Sequence, residues 1–149
     1  DHPSVEVIPD PDSGTVTFAW RPSEDEATTA WITADADLLV VQTGWDAHWG
    51  TETYFEHPFL TPEAARFCVD QGYDVAIDAL NVDPTPTDNA GEDEPTGFQA
   101  HHALLGNDLL IFENFTDLAG LPERFEMIAP PLKLTGSDGA PVRAVARWD

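Results

Sequence analysis

Short apolar runs, separated by polar and proline-rich stretches, recur along the chain and predict β-strands. TVTFAW (15–20) alternates apolar and polar residues, which is typical of a half-buried strand. DLLVVQTGW (37–45) is a continuous apolar run, as expected for a strand buried on both faces. LLIFE (109–113) predicts a second buried strand, and three further runs complete the series: YDVAID (73–78), FEMIAP (125–130) and PVRAVARW (141–148).

Helix signals lie between these strands. In TPEAARFCVDQG (61–72), Thr61 suits the N-cap, Pro62 the first helical position and Gly72 the C-terminal end. A shorter helix is predicted at about 98–106. Strand, helix, strand, helix, strand is the pattern of an α/β fold, with a mixed, largely parallel sheet and flanking helices.

The two longest connections and the N-terminus read differently. Residues 46–60 form an aromatic-rich loop, and residues 81–97 a long irregular loop of the kind that is often functional. Residues 1–36 read as a weakly organised segment apart from the strand at 15–20. We therefore predict a single α/β domain over residues 37–149, preceded by that segment.

Charge narrows the possible partners. The chain of 149 residues has 28 acidic and 6 basic side chains, for a net charge of −22. Binding to nucleic acid or anionic membranes needs clustered Lys and Arg, which this sequence lacks, and no apolar run is long enough to span a membrane. The acidic residues favour a solvated coat adapted to high salt, with a cationic partner as the lesser alternative. This composition resembles that of salt-accumulating archaea and predicts a cytoplasmic protein.

The most distinctive chemistry lies in AHHALLGNDLLIFEN (100–114). His101 and His102 precede a predicted strand, and Glu113 lies at its C-terminal end, the edge where ligands collect in open α/β sheets. An imidazole and a carboxylate suit Zn²⁺ or Mn²⁺. From spacing alone, a helical-turn histidine and a strand-end charge is the stronger interpretation. No G-x-S-x-G or phosphate-binding glycine motif occurs, and the lone Cys68 is expected to be a core thiol.

Several segments together resemble the cyclase family of metal-dependent hydrolases, which includes kynurenine formamidase and isatin hydrolase. The similar segments are VVQTGWDAHWG, HPFLTPEAARFCVDQGYDVAIDALNVDP, AHHALLGNDLLIFENFTDLAGLP and PLKLTGSDGAPVRAVA. They cover about residues 37–149 in the family's order. The resemblance implies a swivelling-type α/β domain that binds a divalent metal, Zn or Mn, and hydrolyses a small amide such as N-formylkynurenine.

The resemblance also assigns residues. His101 and Glu113 fall on two metal-ligand positions, whereas His102 falls on a variable one. The aromatic loop would border the substrate pocket, with Trp45, Trp49 and Phe98 as possible walls. The alternative is that these aromatic side chains, with His48 and His57 nearby, pack the loop onto the sheet. Asp78 could face the site, although anchoring the following loop is the preferred interpretation.

The family's upstream motif, H-x-G-T-H-x-D-x-P-x-H, is not reproduced here. DHP (1–3) fits its D-x-P core, which would make Asp1 a surviving ligand and place Val5 where a histidine belongs. Without a starting methionine, the chain is expected to be a processed product or a fragment. The alternative function is therefore an inactive or truncated domain with a structural or oligomer-forming role. A homo-oligomer is predicted, in which a neighbouring subunit could complete the site.

Overall fold

The computed structural model describes residues 4–9, 16–23, 26–32, 36–86 and 97–149, with side chains described from residue 36 onward. Asp1 of the predicted metal motif lies outside the described residues, as do residues 87–96 of the long loop. The described residues divide into two compact units, 1–117 and 118–149. The predicted domain boundary after residue 36 stays a prediction.

One sheet of the first unit is built largely from the N-terminal part of the chain. Its strands are β1, Ser4–Pro9; β2, Val16–Ser23; β3, Glu26–Ile32; and β5, Phe59–Leu60. They lie in the order β3-β2-β1-β5, with antiparallel pairs except between β1 and β5, which run parallel. The sequence predicts only β2 in this region, whereas the described residues before 36 form three strands.

The second sheet of this unit is fully parallel. Its strands and the helices beside them are β4, Leu38–Val41; α1, Pro62–Gln71; β6, Asp74–Ile77; α2, Gln99–Leu105; and β7, Ile111–Phe112. The strands lie in the order β4-β6-β7. Helix α1 connects β5 to β6, and α2 connects β6 to β7, so β4, β6 and β7 follow the predicted alternation. The α/β class with a mixed arrangement of strands is therefore confirmed.

Helix α1 begins and ends where its sequence predicts. The Thr61 hydroxyl accepts a hydrogen bond from the Ala64 N–H at 3.2 Å, and Gly72 adopts a left-handed conformation at φ 74°. Its apolar face is packed into the core, where Cys68 is completely buried. Burial raises the pKa of the Cys68 thiol to about 12, so the prediction of a core thiol is confirmed.

Burial of the parallel sheet is less uniform than the apolar runs predict. Three of the four residues of the central strand β6 are completely buried, whereas every residue of β4 and β7 is only partly buried. The prediction that β4 and β7 are buried strands is therefore wrong. The physical reason is their position, because both are edge strands within the described three-stranded sheet. β7 is also shorter than predicted.

The aromatic segment between β4 and β5 is more regular than the predicted loop. It contains two 3₁₀ helices, Trp45–His48 and Glu52–Glu56. Hydrogen bonds close both turns, for example from the Tyr54 N–H to the Thr51 carbonyl at 3.2 Å. The segment therefore holds its aromatic rings on short helical turns of defined geometry.

The second unit consists of residues 118–149. Strands β8 (Glu126–Ile128) and β9 (Val145–Arg147) pair antiparallel, and an isolated bridge joins Pro131 to Val142. A 3₁₀ turn, Leu118–Gly120, begins the unit. Both predicted C-terminal strand segments thus contain a strand. In the part of the chain that the structure describes, no helix combines the length and apolar character needed to cross a membrane.

Candidate functional site

The candidate site lies where the parallel strands β6 and β7 end. Asp78 follows β6 directly, Asp83 lies five residues further on, and Glu113 follows β7 directly. Helix α2 begins beside this edge and carries His101 in its first turn. Parallel strands bring their carboxyl ends together, so residues distant in sequence meet here.

His101 and Asp83 form the tightest contact of the site. The His101 ring Nδ1 lies 2.8 Å from Asp83 Oδ2, and the same oxygen accepts the His101 backbone N–H at 2.9 Å. The other oxygen, Asp83 Oδ1, accepts the Ala100 N–H at 2.7 Å. Asp83 is only 1% exposed, so these donors satisfy a carboxylate that is almost entirely removed from water.

Glu113 approaches the opposite side of the same imidazole. Its Oε1 atom accepts the Val82 N–H at 3.0 Å and lies 3.7 Å from His101 Nε2. That separation is too long for a hydrogen bond. An imidazole nitrogen and a carboxylate oxygen therefore face each other across a narrow gap, and both side chains remain partly open to solvent.

The electrostatics follow from these contacts. The hydrogen bond to Asp83 raises the pKa of His101, although burial opposes the shift, and the charge of Glu113 adds to it. Burial would raise the pKa of Asp83, but its hydrogen bonds from His101 and Ala100 outweigh burial and lower it. Burial raises the pKa of Glu113 despite the Val82 N–H. The site thus contains a well-stabilised carboxylate and a more weakly stabilised one on either side of His101.

The two adjacent histidines are in different environments. His101 points between Asp83 and Glu113, whereas the His102 residue is exposed on the next position of α2. Within residues 36–86 and 97–149, no cluster of three or more His, Cys, Asp or Glu side chains has the arrangement needed to hold a metal ion. The structure therefore groups the two predicted ligands, His101 and Glu113, but not a complete shell.

Asp78 has a different role from the one preferred on sequence grounds. Its carboxylate is 1% exposed and accepts the backbone N–H groups of Thr43 and Gly44 at 2.8 Å each. The Thr43 hydroxyl donates a third bond at 2.6 Å. Asp78 thus anchors the T-G-W-D turn that follows β4, whereas the sequence-based interpretation assigned it to the loop after β6.

The aromatic segment is connected to the site through Tyr54. The Tyr54 hydroxyl donates to Asn114 Oδ1 at 2.9 Å, next to Glu113 in sequence, and the Trp45 indole N–H donates to the Tyr54 carbonyl at 3.3 Å. Trp45 packs against the core, while Trp49 is 65% exposed and meets the Tyr54 ring edge-on. Burial raises the pKa of Tyr54, and the charge of Asp78 adds to this.

Of the three predicted pocket walls, Phe98 lies closest to the predicted ligands in the described contacts. Its ring meets the His101 ring edge-on with 6.1 Å between centroids, and the Phe98 residue is 53% exposed. Phe98 has a left-handed backbone, φ 56°, at the N-cap of α2. This conformation is uncommon for a bulky residue. Trp45 and Trp49 belong to the aromatic segment, and both contact Tyr54.

Sequence reasoning missed Asp83 as a site residue. The available signal was the D-P pair in NVDP, which belongs to one of the segments that carry the family resemblance. Its contact with His101 spans 18 residues and depends on where α2 begins. The contact of Tyr54 with Asn114 is not predictable from the sequence either, because it crosses 60 positions and no local pattern indicates it.

Comparisons with known proteins bear on the family. The Cyclase family model matches residues 21–84. The chain is 38% identical over 89 residues to a kynurenine formamidase of Salinibacter ruber, covering 59% of this chain and 38% of that protein. It is 30% identical over 114 residues to an uncharacterized protein of Methanocaldococcus jannaschii, covering 74% of this chain and 53% of that protein.

A solved structure agrees with these matches. It is described as a potential metal-dependent hydrolase with cyclase activity, and it superposes with a TM-score of 0.57 at 31% identity. The superposition covers 75% of this chain and 51% of the solved one. The resemblance to the cyclase family that the sequence shows is thus confirmed over the part that these matches cover. It spans about half the length, or less, of the curated relatives named above.

Proposed function

We propose that this chain is part of a metal-dependent amide hydrolase of formamidase type. The observation that carries the proposal is the convergence of His101 Nε2 and Glu113 Oε1, 3.7 Å apart, at the carboxyl edge of the parallel sheet. The kynurenine formamidase matches support an N-formylated aryl amine, such as N-formylkynurenine, as the substrate. Both residues are proposed as metal ligands.

The donor set fits a divalent metal. One nitrogen and one carboxylate oxygen face the same gap. A hydrogen bond to Asp83 orients His101, and a hydrogen bond from the Val82 N–H orients Glu113. Mixed nitrogen and oxygen ligands suit Zn²⁺ or Mn²⁺. When bound, such a metal supplies Lewis-acid polarisation of a carbonyl and lowers the pKa of water. The remaining ligands would come from residues beyond this pair.

The aromatic side chains support an aryl substrate. Phe98 presents a half-exposed ring beside His101, and Trp49 presents an exposed one at the edge of the aromatic segment. Trp45 would support the aromatic segment, because it packs on the core and its indole N–H donates to the Tyr54 carbonyl. In this proposal Phe98 and Trp49 contact the flat part of the substrate, and aromatic stacking there contributes about 1 kcal/mol.

The test combines metal binding with hydrolysis. Zn²⁺ and Mn²⁺ affinity and N-formylkynurenine turnover are measured in high salt, for this chain and for a longer form that includes the upstream motif. We expect the longer form to bind one of these metals and to hydrolyse the substrate, with both properties lost in His101→Ala and retained in His102→Ala. A longer form that binds no divalent metal would overturn the proposal.

A second candidate is a catalytically inactive domain with a structural or oligomer-forming role. The supporting observation is that the described side chains form no cluster of three metal-binding residues. In that case the chain would associate as a homo-oligomer without hydrolysing amides. Sedimentation measurements with and without Zn²⁺, together with the hydrolysis assay, separate the candidates. Oligomers that hydrolyse the substrate only with metal would favour an enzyme whose subunits complete one another's sites.

The charge supports a proposal about the working environment. A net charge of −22 repels itself at low ionic strength, and this repulsion weakens when salt is added. We propose that the protein works in a salt-rich cytoplasm. Its thermal unfolding midpoint should accordingly rise between low and molar KCl, and a midpoint that falls over this range would contradict the proposal.

A further inference from the structure

The three residues Asn81, Val82 and Asp83, here called the 81–83 segment, contact both predicted ligands. The Val82 N–H donates to Glu113 Oε1, and Asp83 Oδ2 accepts from the His101 ring. The segment is itself fixed, because Asn81 Oδ1 accepts the Asp83 N–H at 2.8 Å and the Val82 carbonyl accepts the Leu60 N–H at 2.9 Å. One short stretch of backbone therefore determines the position of two side chains from different elements.

Asp83 holds both the start of α2 and the imidazole that α2 carries. Its two oxygens accept the N–H groups of Ala100 and His101, the second and third residues of the helix. These donors have no partner within the helix, so a side-chain acceptor stabilises them. The His101 ring uses the same Oδ2 atom. The direction of the ring is thus tied to the position of the first helical turn.

The contact also determines which ring nitrogen bears hydrogen. Asp83 Oδ2 already accepts a backbone N–H, so it is oriented as an acceptor toward Nδ1, which must then donate. In a neutral imidazole only one nitrogen carries hydrogen, and the lone pair consequently lies on Nε2. Nε2 is the atom that faces Glu113.

We propose that Asp83 is a positioning residue that holds neutral His101 in the Nδ1–H tautomer and directs the Nε2 lone pair toward Glu113. The consequence for metal binding rests on the proposed function, but the tautomer itself does not. A metal ligand histidine needs a free lone pair, and a partner on its other nitrogen orients it. Asp83 would provide this partner before any metal binds.

Asp83→Ala is the informative substitution because it removes both carboxylate oxygens. Asp83→Asn would not serve, because its amide oxygen can take the place of Oδ2 and still accept both the His101 N–H and Nδ1–H. Without Asp83, the carboxylate that faces the ring in the described contacts is Glu113, on the Nε2 side. The ring should then move its hydrogen to Nε2, so that Asp83→Ala should invert the tautomer.

The experiment is ¹⁵N NMR of the metal-free chain labelled at its histidines, at about pH 9, where histidine is neutral. His101→Gln assigns the signal. We expect the wild type to carry hydrogen on Nδ1, and Asp83→Ala to carry it on Nε2. A wild-type ring with hydrogen on Nε2, or an Asp83→Ala ring that keeps it on Nδ1, would overturn the proposal. If the variant does not fold, the wild-type result alone decides.

Asp78→Ala is the matched control. Asp78 is equally buried and also holds two backbone N–H groups, and the hydrogen bonds described for it involve no histidine. It should lose comparable stability and leave the His101 tautomer unchanged, whereas inversion in this control would contradict a specific role for Asp83. Zn²⁺ affinity should fall about 10- to 100-fold in Asp83→Ala and stay unchanged in Asp78→Ala. If neither wild type nor variant binds Zn²⁺, the proposed function fails while the tautomer result stands.

Discussion

Asp78 and Asp83 are buried carboxylates only five residues apart, yet they hold two different regions of the molecule. Asp78 accepts two backbone N–H groups and a hydroxyl from the turn after β4. Asp83 accepts two backbone N–H groups and an imidazole from the start of α2. All the donors of Asp78 belong to a turn, whereas one donor of Asp83 has a second nitrogen that faces Glu113.

The difference shows what separates a structural carboxylate from one that supports a site. Burial and the number of hydrogen bonds are nearly the same for the two residues. What differs is where the donors of each carboxylate make their further contacts. The Thr43 hydroxyl accepts the Trp45 N–H at 3.2 Å, within the same turn, whereas the His101 imidazole faces Glu113, which belongs to another element.

The largest expected effect is on the turn. Asp78→Ala removes the acceptor of the Thr43 and Gly44 N–H groups and of the Thr43 hydroxyl. Each stranded group costs about 1–3 kcal/mol, so the free energy of unfolding should fall by about 3 kcal/mol. Urea unfolding gives this value, provided that the dependence on urea concentration is the same for both proteins. Zn²⁺ affinity per folded molecule should not change, and a tenfold loss would contradict the structural role.

At the candidate site, the expected loss is in metal affinity. His101→Ala is expected to lower Zn²⁺ or Mn²⁺ affinity by at least about 100-fold, the upper end of the loss seen when only a ligand's partner is removed. That factor corresponds to about 2.7 kcal/mol of binding free energy.

His102→Ala is the matched control, because His102 is exposed on the same helix. Isothermal titration calorimetry measures both variants. Equal losses in the two would mean that the interaction is nonspecific, and no loss in either would remove His101 from the site.

Tyr54 offers a test of how the aromatic segment is connected to the site. Tyr54→Phe removes only the hydroxyl that donates to Asn114 Oδ1. The expected loss of stability is about 1 kcal/mol, the usual net contribution of one hydrogen bond. Thermal and urea unfolding measure it. Tyr73→Phe serves as a control for loss of a tyrosine hydroxyl, and a larger effect there than at Tyr54 would argue against the importance of the Asn114 contact.

Added salt should leave unchanged the differences in unfolding free energy between the wild type and the variants of Asp78 and Asp83. Screening acts on exposed charges, whereas Asp78 and Asp83 are buried and hydrogen-bonded. Wild type, Asp78→Asn and Asp83→Asn should therefore gain stability in parallel between 0.5 and 3 M KCl, with differences constant within about 0.5 kcal/mol. Urea titrations at each salt concentration measure this. A difference that shrinks steadily with salt would mean that one carboxylate is more accessible than its contacts indicate.

Much of the fold is encoded locally and could be predicted. Thr61, Pro62 and Gly72 mark the ends of α1 by their own conformational preferences, and the structure agrees at each. The sheet β4-β6-β7 follows from apolar runs alternating with helices. An apolar run does not indicate which strands will lie beside it in a sheet, so the edge positions of β4 and β7 were not predictable. Of the three N-terminal strands, β1 and β3 were missed, and the sequence of β3, EATTAWI, is polar and alternates weakly.

The candidate site was predictable only in part. Spacing alone favoured an ordinary strand-end charge for Glu113, and the family resemblance changed that interpretation. The structure then placed His101 and Glu113 together. Asp83 could not be inferred in the same way, because its importance arises only when the 81–83 segment passes beside the first turn of α2. In a sequence alone, a carboxylate before a proline has many structural explanations that involve no functional site.

The burial of Cys68 makes this thiol an intrinsic probe of local opening. Thiol reagents attack the thiolate, and a pKa near 12 keeps almost none of it present in the folded state at neutral pH. Cys68 is also the chain's single cysteine. The rate at which a reagent modifies it therefore reports how often α1 opens, without any engineered probe. A metal that stabilises the folded state would slow this modification, so ligands could be ranked with no substrate at hand.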